Sequence, residues 1–371
     1  MTTYTFEVFS NDMLTSNLSA IGVEKNGLEE VSRYIYAIVF PVIFFLGLIG
    51  NLLSSILFSI TKLNQISCGI YFLLLAIFDL SGLIGGLHHC LTIGYQVKVT
   101  SAAYCRGRNF LLYMSMDMTS WMIVAISADR FLKVKYPIEA RMYATRRLSI
   151  IVSAVICIIL LIKNFHLLTV FIGDFTPNAV DNCDPNPEYP SYEFFFKTIW
   201  PWIDLIVYAL LPFILVTICN ALIISDQYKR RLKLRHRNID MSLISLLLVS
   251  SISLIVCNLP ITILAVIYPY ISLSYDTKDL YDSVAFAFDI LRLPSYASLA
   301  LNFYLYYYTS ILFRQQTILL YRRLCRKEIR EDEMELPTRI YTRDHDRSNS
   351  IDDTQPNSLT SHTSFTELND E

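Results

Sequence analysis

Seven long apolar runs constrain this chain more than any other feature. They extend from Tyr34 to Ile60, Gly69 to Ile93, Ala102 to Lys135, Leu148 to Ile172, Ile199 to Ile224, Met241 to Ile267 and Ala285 to Thr309. Crossing ~30 Å of hydrocarbon takes about 20 helical residues, so each run is long enough to span a bilayer. Inside lipid every backbone N–H and C=O must be satisfied within the protein, which leaves helices or closed barrels. Barrel strands alternate apolar with polar residues, and these runs do not. At 53% hydrophobic and 17% charged, the chain is also too apolar for an ordinary soluble domain. The expected fold is an all-α membrane protein, a seven-transmembrane-helix bundle.

Basic residues gather in alternate connections. Lys133, Lys135, Arg141, Arg146 and Arg147 follow run three, Lys229 to Arg237 separate runs five and six, and Arg314, Arg322, Arg323, Arg326 and Lys327 follow run seven. The other connections are acidic, with Asp174, Asp181, Asp184, Glu188 and Glu193 in one and Asp276, Asp279 and Asp282 in another. The positive-inside rule then puts the N-terminus outside and the C-terminus inside a plasma membrane crossed many times. Basic loops pinned between spans do not read as a nucleic-acid surface. No signal-peptide core precedes Tyr34, so span one is expected to direct insertion. Asn17-Leu18-Ser19 is a glycosylation sequon on the outer side.

The expected organisation is an extracellular segment over 1–33, a seven-span membrane domain over 34–309, an amphipathic surface helix over 310–325 and a disordered tail over 326–371. Cys325 ends the amphipathic run and is either a palmitoylation site or a free thiol.

Ionisable residues inside spans are expensive and mark function. Asp129-Arg130-Phe131 closes run three against a basic segment, where the acid and the guanidinium can neutralise each other. Asp79 lies at mid-depth in run two, and its carboxylate has to be protonated, hydrated or bound to a cation. Asp117 stands two residues before Thr119 with no role assigned by the pattern.

Several short motifs then fall in one order. Gly50-Asn51 stands in span one, Leu75-Ala76-Ile77-Phe78-Asp79 in span two, and Cys105 and the acid-Arg-aromatic triplet at either end of span three. Cys183 follows span four, Pro212 lies in span five, Cys257-Asn258-Leu259-Pro260 in span six and Asn302-Phe303-Tyr304-Leu305-Tyr306 in span seven. Across residues 34–325 this resembles the rhodopsin-like (class A) G-protein-coupled receptors, and is most similar to peptide receptors of invertebrate type. The chain departs from the pattern where Asn258 stands for Trp, Phe303 for Pro and Asn220 for Tyr, and where span four lacks its Trp.

The resemblance implies a non-enzymatic receptor that binds an extracellular ligand and activates a heterotrimeric G protein by outward movement of span six. It implies a Cys105–Cys183 disulfide, and a switch built from Asp129, Arg130, Phe131, Pro260, Asn302 and Tyr306. Asp240 is either a partner that holds Arg130 at rest or simply an acid at a helix start. The family's allosteric sodium site maps onto Asp79, Thr119, Ser298 and Asn302, with no other cofactor implied. Ser348, Ser350, Thr354 and the hydroxyl residues up to Thr366 imply arrestin docking through a phosphorylated tail.

Leu112 replaces the acid that monoamine receptors use, and Tyr296 replaces the retinal-binding Lys, so neither ligand is expected. The polar ligand candidates are His88, His89, Asp204, Asn258, Asp289 and Arg292, although Asp289 and Arg292 can instead pair with each other across one helical turn. Acidic outer loops favour a cationic or amidated peptide over a lipid. The competing class is a receptor-like scaffold or scavenger that does not couple to a G protein. A transporter would show paired repeats or broken spans, which the sequence lacks.

Overall fold

The computed structural model describes residues 11–61, 63, 66–173, 183–233, 241–272 and 278–324. Asp240, Cys325 and the hydroxyl-rich tail lie outside the described residues, as does the side chain of Asn17. The compact unit Met1–Thr317 holds all seven spans, and of the unit Ile318–Glu371 only the end of the helix Ile311–Leu324 is described.

Span one is the helix Asn11–Ile60, span two Ser67–His89, span three Ala102–Lys135, span four Arg146–Asn164, span six Met241–Ser272 and span seven Lys278–Thr309. Six helices among the described residues are long and apolar enough to cross a membrane, and Val256–Tyr268 is a shorter apolar stretch within span six. Local chemistry sets several boundaries. The Ser101 hydroxyl accepts the Tyr104 N–H at 3.4 Å to cap span three, and Thr145 accepts the Leu148 N–H at 3.3 Å to cap span four. Pro137 starts the short helix Pro137–Tyr143, where a missing N–H costs nothing.

Span five is built differently. It runs as Pro190–Phe194, a π turn at Phe195–Ile199, Trp200–Asp204, a second π turn at Leu205–Leu210 and Leu211–Lys233. Pro201 and Pro212 lack the N–H that would bond the carbonyls of Lys197 and Tyr208, four residues back. Both carbonyls lie inside the π turns, where the ladder widens to absorb the loss. The second turn also turns a carbonyl sideways, since Trp121 Nε1 of span three donates to Val207 O at 3.1 Å.

The burial pattern is that of a bundle in lipid. Span four buries Ser149, Ser153, Leu160 and Asn164 while Ile151, Ile158 and Ile162 face outward. Small and polar residues inside with large apolar ones outside is the arrangement lipid selects, because hydrocarbon gives no reason to hide an isoleucine. Span three is the strut, packed against spans two, four and five; span seven packs on spans one and six. Gly86 lets span two approach span seven: a Cβ there would lie 2.6 Å from Tyr296 Cε1.

Candidate functional site

The two ends of the bundle differ in chemistry. One end is fixed by the disulfide between Cys105, in the second turn of span three, and Cys183, with their Cα atoms 4.8 Å apart. Both cysteines are buried with Leu167 and Ile172, so the loop after span four is held against span three by an apolar plug as well as a covalent bond. Asn109 Nδ2 adds a 3.0 Å bond to Cys183 O, and Arg106 Nε donates to Ile172 O at 3.3 Å.

Around this end the ligand candidates separate into two groups. The first lies among spans one, two, three and seven. His88 and His89 are buried at the end of span two, and His89 Nδ1 contacts Tyr296 Oη at 2.7 Å. Arg108 of span three lies against His89 and donates to Gly85 O at 3.4 Å. Asp289 and Arg292 do pair, at 3.4 Å, and the guanidinium also sits 4.7 Å from the Phe288 ring centre. Leu112 is buried beside Gly85 in the same region.

The second group lies among spans three, four and five. Lys163 Nζ contacts Asp117 Oδ2 at 2.8 Å and Asp204 Oδ1 at 2.7 Å, joining three spans through one ammonium. Asn164 Nδ2 also donates to Asp117 Oδ2, at 2.7 Å. Asp204 was among the candidates; Lys163 was not, and Asp117 had no assigned role. The signal was present, because Lys163 is the one charged residue within the run from Leu148 to Ile172. A lone cation in one span, facing acids in two neighbours, is a pairing that a sequence can announce. Arg108 gave no such signal.

Mid-bundle, Asp79 is fully buried and accepts from Thr119 Oγ1 and Asn302 Nδ2, each at 2.7 Å. Three of the four residues expected around a cation are thus together. Ser298 makes no hydrogen bond to Asp79; its hydroxyl donates to Ser295 O in its own helix at 2.7 Å. Asn51 Nδ2 donates to Leu299 O at 3.1 Å and ties span one to span seven. Oxygen donors with one buried carboxylate suit a hard monovalent cation. Asn258 in span six is buried, and its Oδ1 meets no donor among the described residues. Ser295 Oγ donates to Cys257 O at 3.0 Å, beside the turn that Pro260 interrupts.

The triplet end departs from expectation at one contact. Asp129 does not neutralise Arg130; it accepts from Ser67 Oγ at 2.7 Å and pairs with Lys133 Nζ at 2.8 Å. Neighbouring residues on a helix point about 100° apart, whereas positions four apart share a face, so Lys133 has the better reach. Arg130 turns inward and donates from Nη2 to Cys68 Sγ at 3.1 Å. It borders a small apolar cleft whose wall includes Phe58, Phe72, Tyr306 and Phe313. These rings pack on one another, Phe58 on Phe72 at 5.1 Å and Phe72 on Tyr306 at 5.2 Å. Phe131 packs edge-on to Tyr136 at 6.4 Å, and Lys135 pairs with Asp226 of span five at 3.1 Å.

Seven apolar helices, a disulfide-anchored loop at one end and an acid-Arg-aromatic triplet at the other define a heptahelical membrane receptor. The family described as 7 transmembrane receptor (rhodopsin family) matches residues 50–306, and the chain belongs to it. Cysteinyl leukotriene receptor 2 of Homo sapiens is 28% identical over 201 residues, 53% of this chain and 56% of that protein. Galanin receptor 2a of Danio rerio is 28% identical over 120 residues, 32% of this chain and 33% of that one. Thyrotropin-releasing hormone receptor of Gallus gallus is 25% identical over 186 residues, 48% of this chain and 45% of that one. The matched stretches thus span roughly a third to just over half of these relatives.

Proposed function

We propose that the chain is a plasma-membrane receptor for an extracellular peptide, with its disulfide end outside and its triplet end in the cytoplasm. Ligand binding drives span six outward and opens the triplet end to a heterotrimeric G protein. The observation that carries this reading is Arg130. It is held by a weak thiol acceptor at the edge of an apolar cleft, not by its neighbouring carboxylate. A guanidinium with so mild a restraint can extend toward the backbone carbonyls of an arriving helix when the bundle opens. Basic residues concentrate at the same end, which supports its cytoplasmic placement.

Peptide ligands are supported by relatives named for galanin and thyrotropin-releasing hormone, and by a neuromedin U receptor homolog of Caenorhabditis elegans. The leukotriene relative points to a lipid instead. Acidic loops and the carboxylates of Asp204 and Asp289 near the disulfide end favour a peptide with basic character. Asp79, Thr119 and Asn302 would hold a sodium ion, which stabilises the resting arrangement of spans two, three and seven by charge. Phosphorylated residues of the tail would recruit an arrestin, and Cys325 would carry a palmitoyl chain.

Nucleotide exchange on a reconstituted G protein, driven by a neuropeptide library, tests the reading. A peptide that raises exchange on this chain and not on its Arg130→Ala variant supports it. Specific peptide binding with no exchange on any G-protein class would leave a receptor-like scaffold.

A further inference from the structure

The ion cluster of spans three, four and five contains two carboxylates and one ammonium. Its members are unequally satisfied. Asp117 is 1% exposed and has Lys163 and Asn164 around it. Asp204 is 18% exposed, accepts from Lys163 through Oδ1, and its Oδ2 has no bonded partner among the described residues. A carboxylate can accept about four hydrogen bonds, so Asp204 keeps most of its capacity.

A second and independent observation surrounds the same cluster. Asn164 is fully buried, and the amide whose Nδ2 holds Asp117 leaves its Oδ1 without a donor. Trp200 is 3% exposed, its indole N–H has no acceptor, and its ring is the one lying 4.8 Å from Lys163 Nζ. His166 packs on that ring at 4.2 Å; its Nδ1 contacts Tyr192 Oη, and its Nε2 has no partner. Polar groups buried without partners are costly and rare, and here three of them gather on one ion cluster. Together they ask for a guest with several donors, for Asp204 Oδ2 and Asn164 Oδ1, and an acceptor for the Trp200 N–H.

We propose that this cluster is the docking point for an arginine residue of the ligand, and that Lys163 is a tethered cation occupying it when the ligand is absent. The planar guanidinium offers five donors in a fork that matches a carboxylate and stacks on an indole face, which an ammonium cannot do. The backbone carbonyl of the same residue supplies the acceptor. On binding, the guanidinium takes Asp204 and the Trp200 face, and Lys163 withdraws to Asp117. The cluster then changes from a bridge across three spans to a pair between spans three and four, which frees span five just above its second π turn. This rests on the reading of the disulfide end as the ligand-accessible face, and it names the chemistry of that ligand.

The test uses the full chain in lipid nanodiscs, with N-acetyl-arginine amide as probe and N-acetyl-citrulline amide, its uncharged isostere, as control. Tryptophan emission is followed, and Trp200→Phe identifies the part of the signal that belongs to Trp200. The arginine probe should give a saturable change and the citrulline probe none. Lys163→Met, which keeps the stem and removes the competing charge, should tighten apparent affinity about tenfold, equivalent to ~1.4 kcal/mol. Asp204→Asn should abolish the response. Equal binding of citrulline, an undiminished response in Asp204→Asn, or no saturable response in either the parent or Lys163→Met overturns the proposal. The parent-chain comparison of the two probes needs no variant to fold. No G protein is present, so a positive result without nucleotide exchange in the coupling assay would sink only the receptor reading. Exchange driven by a ligand lacking arginine, with no response here, would sink only this one.

Discussion

Arg130 Nη2 donates to Cys68 Sγ at 3.1 Å, so the guanidinium of the triplet is restrained by span two and not by the acid beside it. Asp129 is meanwhile occupied by Ser67 and Lys133. The restraint on Arg130 in this arrangement is therefore a neutral, sulfur-accepted bond, and removing it should cost the arrangement only about 1 kcal/mol. Cys68→Ala should raise basal nucleotide exchange about fivefold, since that energy shifts a minority active population by this factor. Arg130→Ala should remove exchange and leave ligand affinity within about threefold of the parent, the usual range for a change remote from the site. Normal signalling by Arg130→Ala, read as guanine nucleotide exchange in membranes, would show that the triplet does not serve coupling. Asp240→Ala is a separate arm; higher basal exchange there would add span six to the restraint.

The disulfide closes a separation of 78 residues and clamps an apolar plug of Leu167 and Ile172 against span three. Cys105→Ser and Cys183→Ser should each destabilise the receptor by ~2–5 kcal/mol. The double variant should be no worse than either single, because one bond is lost in all three. Surface display and thermal unfolding in detergent both read this, and additive losses would argue that each thiol has its own role.

The tail beyond Arg339 carries the hydroxyl residues from Ser348 to Thr366 among acids. Each phosphate adds about −1.5 to −2 charge, enough to turn a solvated strip into an anionic ligand for an arrestin. Truncation after Glu335 should spare ligand binding and exchange yet slow agonist-driven internalisation. Unchanged internalisation kinetics would remove the tail from the mechanism.

Gly86 and Tyr296 set the closest approach of spans two and seven: a Cβ at residue 86 would lie 2.6 and 2.8 Å from ring atoms of Tyr296 and 3.1 Å from Phe40 Cζ. Tyr296 is fully buried, with its hydroxyl on His89 and its ring edge-on to Phe40, so it has nowhere to turn. Gly86→Ala should cost ~1–3 kcal/mol through overpacking. A thermal midpoint indistinguishable from the parent would mean that spans two and seven are less tightly apposed.

The spans were legible because lipid leaves the backbone so few solutions that length and composition settle them. The two π turns of span five were not, although Pro201 and Pro212 mark both; a proline announces a lost bond without saying whether the helix kinks or widens. The Asp129–Arg130 pairing failed for a geometric reason. Adjacency in sequence places two side chains on different faces of a helix, and the i+4 lysine was the better partner. The Lys163 cluster was missed for the opposite reason, since its three members lie 41 to 87 residues apart along the chain. Only charge complementarity across separate spans connects them. Ser298 illustrates a further limit, because a serine in a helix can always spend its hydroxyl on its own backbone, as this one does.

Asp79 offers the sharpest test of how charge in the bundle is coupled to ligand binding. Its carboxylate is fully buried and accepts two side-chain donors, Thr119 from span three and Asn302 from span seven. Those two bonds leave lone pairs on both oxygens, and a carboxylate with about four acceptor positions is only half satisfied by them. A sodium ion bound there would complete the set with oxygens of Thr119 and Asn302 and would hold three spans in one arrangement. Binding that favours the resting arrangement lowers agonist affinity, and the two effects are reciprocal. Raising sodium at constant ionic strength, with N-methylglucamine as the replacement cation, should therefore weaken agonist binding to the parent chain. Asp79→Asn removes the charge and keeps the shape, and its single amide oxygen, standing in for Oδ1 or Oδ2, can accept from Thr119 or Asn302 but not from both. In that variant agonist affinity should no longer respond to sodium and should sit near the sodium-free value of the parent. Ser298 gives its proton to Ser295 O and keeps its oxygen lone pairs, so a blunted sodium response in Ser298→Ala would add that oxygen to the set. A parent chain whose agonist affinity ignores sodium would take the ion away from this cluster and leave Asp79 as a purely structural junction of spans two, three and seven.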